Sequence, residues 1–399
     1  MGALTGLKIL DFSTLLPGPY ATLVMADMGA EVLSIAAPGR KDILTEWPPV
    51  IEGTQKLPSG GVTAVAAWIG RNKKTAVINL KKQEGVEAIR RLVTEGGYDI
   101  LLEQVRPGVM QKLGIGYDEL SALNPRLIYC SLTGYGQTGP LAMRAGHDIN
   151  YLSRSGNMAQ AGRRETGPVL TNVQIADVAA GSMNSIISIL AAVHYRDRTG
   201  RGQYIDVSMM DGVIPFNGMD GAAYLGGGSL TEREAHLLNG GTVYDFYETA
   251  DGRYMSVGSL EPKFFKALCQ GLGISDEQKP ALNDPDTKKQ VREAFAQKTQ
   301  EEWCEIFAPL DACVEPVMTL EEAKGDEQIA VRQMMPQVPF PEDVYGQTAA
   351  QSIQQPGCPL KLSECPPEYR HTGYPTGYHT DEVLRELGFS EQDIEKIKT

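Results

Sequence analysis

The strongest constraint on the fold is the alternation of short apolar runs with helix-patterned segments over the first third of the chain. Leu7 to Phe12 reads as a buried strand, Pro19 to Met28 as a helix opened by prolines, and Glu31 to Ile35 as a second strand after Gly29. The alternation resumes with a strand over Thr75 to Leu80, an amphipathic helix over Gly85 to Thr94, and strands over Tyr98 to Gln104 and Arg126 to Thr133. Strands joined through helices cross over to lie parallel. The pattern therefore predicts an α/β fold on a doubly wound, Rossmann-like parallel sheet.

The stretch from Gly39 to Gly61, with its prolines and glycines, reads as a long surface loop. Ile175 to Tyr195 suits one long apolar helix with small residues on one side, ended by the turn Asp197 to Gly202. After Gly202 the texture changes. Tyr204 to Met209 alternates as a strand, Gly218 to Gly228 reads as a mobile connection, and Val243 to Val257 as a hairpin turning at Asp251-Gly252. Helices are predicted at Pro262 to Leu272, Asp286 to Ala296 and Gln300 to Pro309, which together make a smaller α+β domain. A proline-rich connection, Pro336 to Pro367, leads to short helices around Thr380 to Leu387 and Ser390 to Ile397, too small for a core of their own and expected to pack back on the first domain. The expected division is a large domain over 1–203, a linker over 204–237, a small domain over 238–318, a second linker over 319–367, and returning helices over 368–399.

Charge narrows the function classes. Fifty acidic residues against 37 basic ones leave a net charge of -13, which argues against non-specific binding to nucleic acid or to an anionic membrane. Six cysteines show no CxxC pair and no histidine at zinc spacing, so no metal site is expected. Met1 to Leu10 lacks a basic stretch followed by an apolar run, and the apolar stretches elsewhere carry polar interruptions, so a soluble cytoplasmic protein is expected.

Several residues could carry chemistry. The run GYGQTG (Gly134, Gly136, Gly139) matches a dinucleotide fingerprint, but Pro140 follows at once and no helix is available to receive a pyrophosphate; a tight chain reversal explains it better. His147, in AGHDINY, follows a strand end where ligand crevices form, and an imidazole exchanges protons near neutral pH. Equally, it could be a surface histidine steadied by Asp148. Asp177 opens the apolar helix in NVQIADVAAG, where a helix-cap role competes with that of a partly buried proton donor or acceptor. Glu261, ahead of Pro262, has the look of a first-turn helix acid. Arg71 to Lys74 reads as a solvated turn which, with Lys81, Lys82, Arg106 and Lys112, could instead meet phosphates at successive strand ends.

Taken together and in order, LKILDFSTLLPGPYATLVMADMGAEV, NPRLIYCSLTGYGQTGP, AGHDINYLSRSG, QIADVAAG, RTGRGQYIDVSMMDG, TADGRYMSVGSLEPKFF, DACVEPV and HTDEVLRELGFS resemble the family III CoA-transferases, and within them most of all the alpha-methylacyl-CoA racemases. The resemblance implies a Rossmann-like large domain, a small domain and two linkers, with two subunits interlocked as rings. It implies an acyl-CoA thioester as substrate, with coenzyme A part of that substrate and no prosthetic group. A histidine in GHD and an aspartate at the next helix start would face opposite sides of the acyl C2 carbon; here they match His147 and Asp177, with Glu261 as the glutamate contacting the histidine and Asp148 adjoining the pair. Contacts to coenzyme A would fall on Ile78, Asn79, Leu80 and Lys81, on Gln104, Val105 and Arg106, on Lys112, and on Gly146, Ile149, Asn150 and Tyr151. Many members carry an arginine where this chain has Ala37; Arg40 stands three residues later. The implied chemistry is two-base proton transfer at C2 through an enolate, its oxygen held by backbone N–H groups near the start of the Asp177 helix. The alternative is CoA transfer to a carboxylic acid with Asp177 as nucleophile.

Overall fold

The computed structural model describes residues 1–56, 61–345 and 351–399. Residues 57–60 of the Gly39 to Gly61 stretch and 346–350 of the Pro336 to Pro367 connection lie outside the described residues. The chain divides into two compact units: one comprises Met1–Leu152, Val173–Val213 and Ile329–Thr399, the other Ser153–Asn172 and Ile214–Gln328.

In the larger unit six strands, β1 (Lys8–Phe12), β2 (Glu31–Ala36), β3 (Lys74–Val77), β4 (Ile100–Glu103), β5 (Ile128–Thr133) and β6 (Gln203–Ser208), form one parallel sheet in the order β3-β2-β1-β4-β5-β6. The sheet reverses its winding between β1 and β4, and in open α/β sheets the crevice beyond the carboxyl ends at such a point takes ligands. β5 is buried at every residue, as expected of a central strand covered on both faces. Helix α1 (Pro17–Asp27) follows β1, and its prolines sit in the first turn, where a missing N–H breaks no helical bond. Helices α2 (Gln83–Thr94), α3 (Asp148–Arg154) and α4 (Ala176–Thr199) follow, and the chain ends in α5 (Thr380–Glu386) and α6 (Glu391–Lys398). Leu10 and Leu33 of the sheet, Ile89 and Leu92 of α2, Leu384 of α5, and Ile394 and Ile397 of α6 share one core, so the final helices do pack back on the sheet. At 24 residues, α4 is long and apolar enough by length and composition to cross a membrane, contrary to the reading of its stretch as too interrupted. Within the unit it packs against α1, β5 and β6.

The Arg71 to Lys74 run is not a solvated turn. Arg71, Asn72 and Lys73 are each less than 5% exposed. Arg71 donates from Nε and Nη2 to the Asp27 carboxylate at 3.0 and 2.6 Å and from Nη1 to Gln355 Oε1 and the Pro356 carbonyl, both at 3.0 Å. Asn72 donates to Asp27 at 2.8 Å and to the Glu368 carbonyl at 2.7 Å, and accepts from the Arg370 N–H at 2.9 Å. Lys73 donates to the Pro19 carbonyl at 2.7 Å and to Thr22 Oγ1 at 2.8 Å, with Asp11 3.7 Å away. Burial lowers its ammonium to about 8, against the pull of Asp11 and Asp27. Buried charges persist only when paired and fully hydrogen-bonded. This run meets internal carboxylates, and it ties residues 355–371 to the sheet.

In the smaller unit β7 (Asp245–Glu248), β8 (Tyr254–Val257) and β9 (Val314–Pro316) form an antiparallel sheet in sequence order, its first hairpin turning where Gly252 sits at φ +75°. The helices Pro262–Leu272, Pro285–Phe295 and Gln300–Phe307 supply Leu268, Phe295, Trp303 and Phe307 to a core shared with Tyr247. Residues 153–172 join this unit rather than the large domain, held by Arg163, which pairs with Asp245 at 2.5 Å and Glu234 at 3.1 Å while Lys288 meets Asp245 at 2.7 Å. The expected mobile connection over Gly218 to Gly228 is largely a helix, Gly218–Leu225, because the glycines alternate with Met219, Ala222, Ala223 and Leu225, which sustain helical pairing. Of the described residues assigned to the two linkers, 204–213, 329–345 and 351–367 fall in the larger unit and 214–237 and 319–328 in the smaller.

Truncating Arg71 strands Asp27 as an unpaired buried charge. Arg71→Ala is expected to lose about 3–5 kcal/mol of stability in denaturant unfolding and to expose residues 355–371 to limited proteolysis; an unchanged midpoint would contradict a supporting role for this cluster.

Candidate active site

The backbone leaving β5 makes the first wall of the site. Tyr151 of α3 lies over Gly134 and Gly146, where added Cβ atoms would come within 2.3 and 2.7 Å of its ring. Its hydroxyl donates to the Gly146 carbonyl at 2.5 Å, and its ring meets Tyr135 edge-on at 5.1 Å. Gly136 sits at φ +83°, and the Gln137 N–H donates to the Asp206 carboxylate at 3.0 Å. GYGQTG is thus a chain reversal packed under a tyrosine, and no helix follows it before Asp148.

His147 stands immediately before α3. Its N–H donates to Asn150 Oδ1 at 3.0 Å and its carbonyl accepts from the Asn150 N–H at 2.8 Å, so Asn150 fixes the backbone of His147 while the residue stays exposed. The next residue, Asp148, turns towards α4. One oxygen, Oδ1, accepts from the N–H groups of Ala176 at 2.6 Å and Asp177 at 3.0 Å. Asp148 therefore caps the helix that carries Asp177, and it joins the His147 turn to that helix. It does not simply steady the imidazole.

Asp177 is not a helix cap. The first turns of α4, Ala176–Ser182, are a π-helix, the wide form that recurs at functional sites, and Asp177 projects from it half-buried. Burial first, and then the Asp148 charge, push its carboxyl up to about 6 against the downward pull of His147. Burial also raises the Tyr151 hydroxyl well above its ordinary value, with Asp177 as the next cause. Asp177 thus feels the charges of Asp148 and His147, and Tyr151 those of Asp177 and Asp148. The geometry overturns one expectation: the Ala176 and Asp177 N–H groups already bind Asp148 and are not available to an enolate oxygen. Glu261 lies in the smaller unit, exposed at the start of the helix Pro262–Leu272, where its charge acts on the Cys313 thiol.

Beyond the carboxyl ends of β1 and β2, and beside the start of β3, a cavity of about 560 Å³ opens, lined by Ser13, Leu15, Ala37, Arg40, Lys74 and Tyr374 among others. Neither His147 nor Asp177 lines it. Leu15 is held at φ +61° with its N–H donating to Asp42 Oδ2 at 2.8 Å, so part of the expected surface loop forms the cavity wall. Of the residues assigned to coenzyme A, Ile78 is wholly buried core, Asn79 donates its N–H to the Ile397 carbonyl at 2.8 Å, and Leu80 packs against the same core. Lys81 is exposed. Gln104 accepts from the Gly18 N–H at 3.1 Å and so bridges the loops after β4 and β1 at the point where the winding reverses. Val105 donates its N–H to the buried Glu103 at 2.8 Å, while Arg106, Lys112 and Ile149 reach solvent. Ala37, Arg40 and Lys74 were singled out in sequence, but Ser13, Leu15 and Tyr374 were missed because their signal is the strand order, which no local pattern carries.

The sequence and the fold recur in known proteins. Human alpha-methylacyl-CoA racemase is 35% identical over all of this chain and 96% of its own length. The succinate–glutarate CoA-transferase of Agrobacterium fabrum is 31% identical over 99% of this chain and 97% of its own. A CAIB/BAIF family protein from Brucella suis superposes with a TM-score of 0.80 at 26% identity, covering 97% of this chain and 99% of that one. The family model for CoA-transferase family III matches residues 4–380. With that match along nearly its whole length, the chain is a member of CoA-transferase family III.

Proposed function

We propose that this enzyme interconverts (2R)- and (2S)-2-methylacyl-CoA thioesters. One of His147 and Asp177 takes the C2 proton, the C–H electron pair moves into the thioester carbonyl as an enolate, and the other group returns a proton to the opposite face. The observation that carries this reading is the placement of Asp177. Its carboxyl, raised to about 6 by burial, senses His147 across a junction fixed by Asp148. A base for a carbon acid works best when its affinity for protons lies near the working pH, and an ordinary exposed aspartate is too weak. Asp148 and Asn150 act as positioning residues, because their hydrogen bonds fix backbone.

An enantiopure 2-methylacyl-CoA incubated in deuterated water is expected to racemise and gain deuterium at C2. Asp177→Asn should lower that exchange at least ~100-fold. In the direction where Asp177 is the base it must be ionised, so the rate should fall as the pH drops through about 6. No exchange across a panel of 2-methylacyl groups would sink the proposal. CoA transfer is the second reading, favoured by the Agrobacterium transferase relative and by a half-buried carboxylate able to act as nucleophile. Hydroxylamine trapping of the Asp177 peptide separates the two, since only transfer passes through a covalent aspartyl intermediate.

The nucleotide end of the thioester fits the 560 Å³ cavity, a size usual for small-ligand sites. Arg40 supplies charge there in place of the arginine absent at Ala37. Arg40→Ala is expected to raise KM for the thioester about tenfold with kcat nearly unchanged; an unaltered KM would move the nucleotide elsewhere.

The working form is proposed to be a homodimer. Ile214, Phe216, Met219, Leu225 and Leu230 are each at least half exposed along one short stretch of the smaller unit, a concentration typical of surfaces covered by a partner. Light scattering should give twice the chain mass; a monomer that retains full activity would rule the dimer out as the working form.

A further inference from the structure

The structure assigns a role to Ser182, and on the function proposed above we infer that it is a positioning residue: its hydroxyl fastens the wide first turns of α4 to the β1–α1 turn and so fixes where Asp177 points. Ser182 is fully buried and ends the π-helical segment, five residues after Asp177. Its Oγ lies 2.6 Å from the Pro17 carbonyl and 3.1 Å from the Asp177 carbonyl. A hydroxyl has one proton to donate, and the shorter contact marks Pro17 as its main acceptor.

The turn it is fastened to is rigid. The Asp11 carboxylate accepts from the Ser13 N–H at 2.9 Å, from the Ser13 hydroxyl and from the Thr22 hydroxyl at 2.5 Å. Gly18 is fixed in turn by Gln104. Next to Ser182, a Cβ on Gly181 would meet Met209 at 3.0 Å and Pro17 at 3.3 Å, and the Gly181 carbonyl accepts from Ser185 Oγ at 2.8 Å. The backbone at this end is clamped by contact, as it is clamped at the other end by Asp148. A π-turn is rare and persists where its surroundings hold it. Without the hydroxyl the tie between α4 and the Pro17 carbonyl is lost, and the segment relaxes towards an ordinary α-turn. That rotation carries Asp177 about the helix axis and into water.

The test uses Ser182→Ala and Ser182→Cys in the full-length enzyme, the cysteine preserving volume while donating weakly. Thermal melts and thioester affinity confirm that each variant folds and binds. Both are expected to lose about 10- to 100-fold in kcat for C2 exchange with KM within about twofold of the parent, the penalty for misplacing a reacting group by ~1 Å. The acidic limb of the pH profile should move to lower pH as the Asp177 carboxyl becomes hydrated. Carbon NMR of labelled aspartate reads the same midpoint without any turnover. A cysteine variant with parental kcat and an unmoved Asp177 midpoint would overturn the inference, because volume alone would then suffice. A parent enzyme that exchanges no C2 proton would defeat the proposed function, while the NMR midpoints would still decide the role of Ser182.

Discussion

The buried pair of Asp27 and Arg71 is the contact on which the larger unit depends. It joins the end of α1 to the turn before β3, and Arg71 carries the connection on to Gln355 and Pro356. Replacing such a pair by apolar side chains can be neutral, but breaking it is not. Here the pair also brings Asn72 and Lys73 into register, and Lys73 reaches Thr22 and the Pro19 carbonyl beside Asp11. A charge cluster far along the chain from His147 and Asp177 thus braces the loop that joins β1 to α1.

From that loop the architecture of the site follows by short steps. Asp11 shapes the turn, the turn offers the Pro17 carbonyl to α4, and Asp148 holds the amino end of the same helix. The Asp177 carboxylate is placed by backbone fixed from two sides, and it stays half-buried with no Lys or Arg ion pair among the described residues. A direct ion pair would hold the carboxyl low and remove its affinity for protons. Desolvation of the Asp177 carboxyl leaves that affinity high.

Much of the fold was legible because β–α alternation is a local signal. The strands over Leu7 to Phe12 and Glu31 to Ile35 and the helix over Pro262 to Leu272 lie at or within a residue of where they were expected. Arg71 to Lys73 misled because charge suggests water, and only the fold supplies the carboxylates that let those residues go inside. Gly218 to Gly228 misled in the opposite sense, since glycine content hid a helix. At the candidate site, His147 and Asp177 were singled out by the family resemblance, whereas the capping role of Asp148 required knowing that α3 and α4 begin side by side. The cavity was invisible in sequence, since its walls come from loops far apart in the chain.

The larger unit is interrupted after Val213 and resumes at Ile329, and this order has a consequence for biosynthesis. All six strands are made before the interruption, yet Leu384, Ile394 and Ile397, which finish the core over Leu10 and Leu33, are made last. At about 5–20 residues per second on the ribosome, the nascent sheet waits on the order of ten seconds with that face bare and Arg71 short of Gln355 and Pro356. The smaller unit has all its parts by Gln328 and can close while the sheet still waits. The first domain to emerge is therefore the last to mature, and its uncovered face is the natural point of engagement for a chaperone that recognises apolar surface.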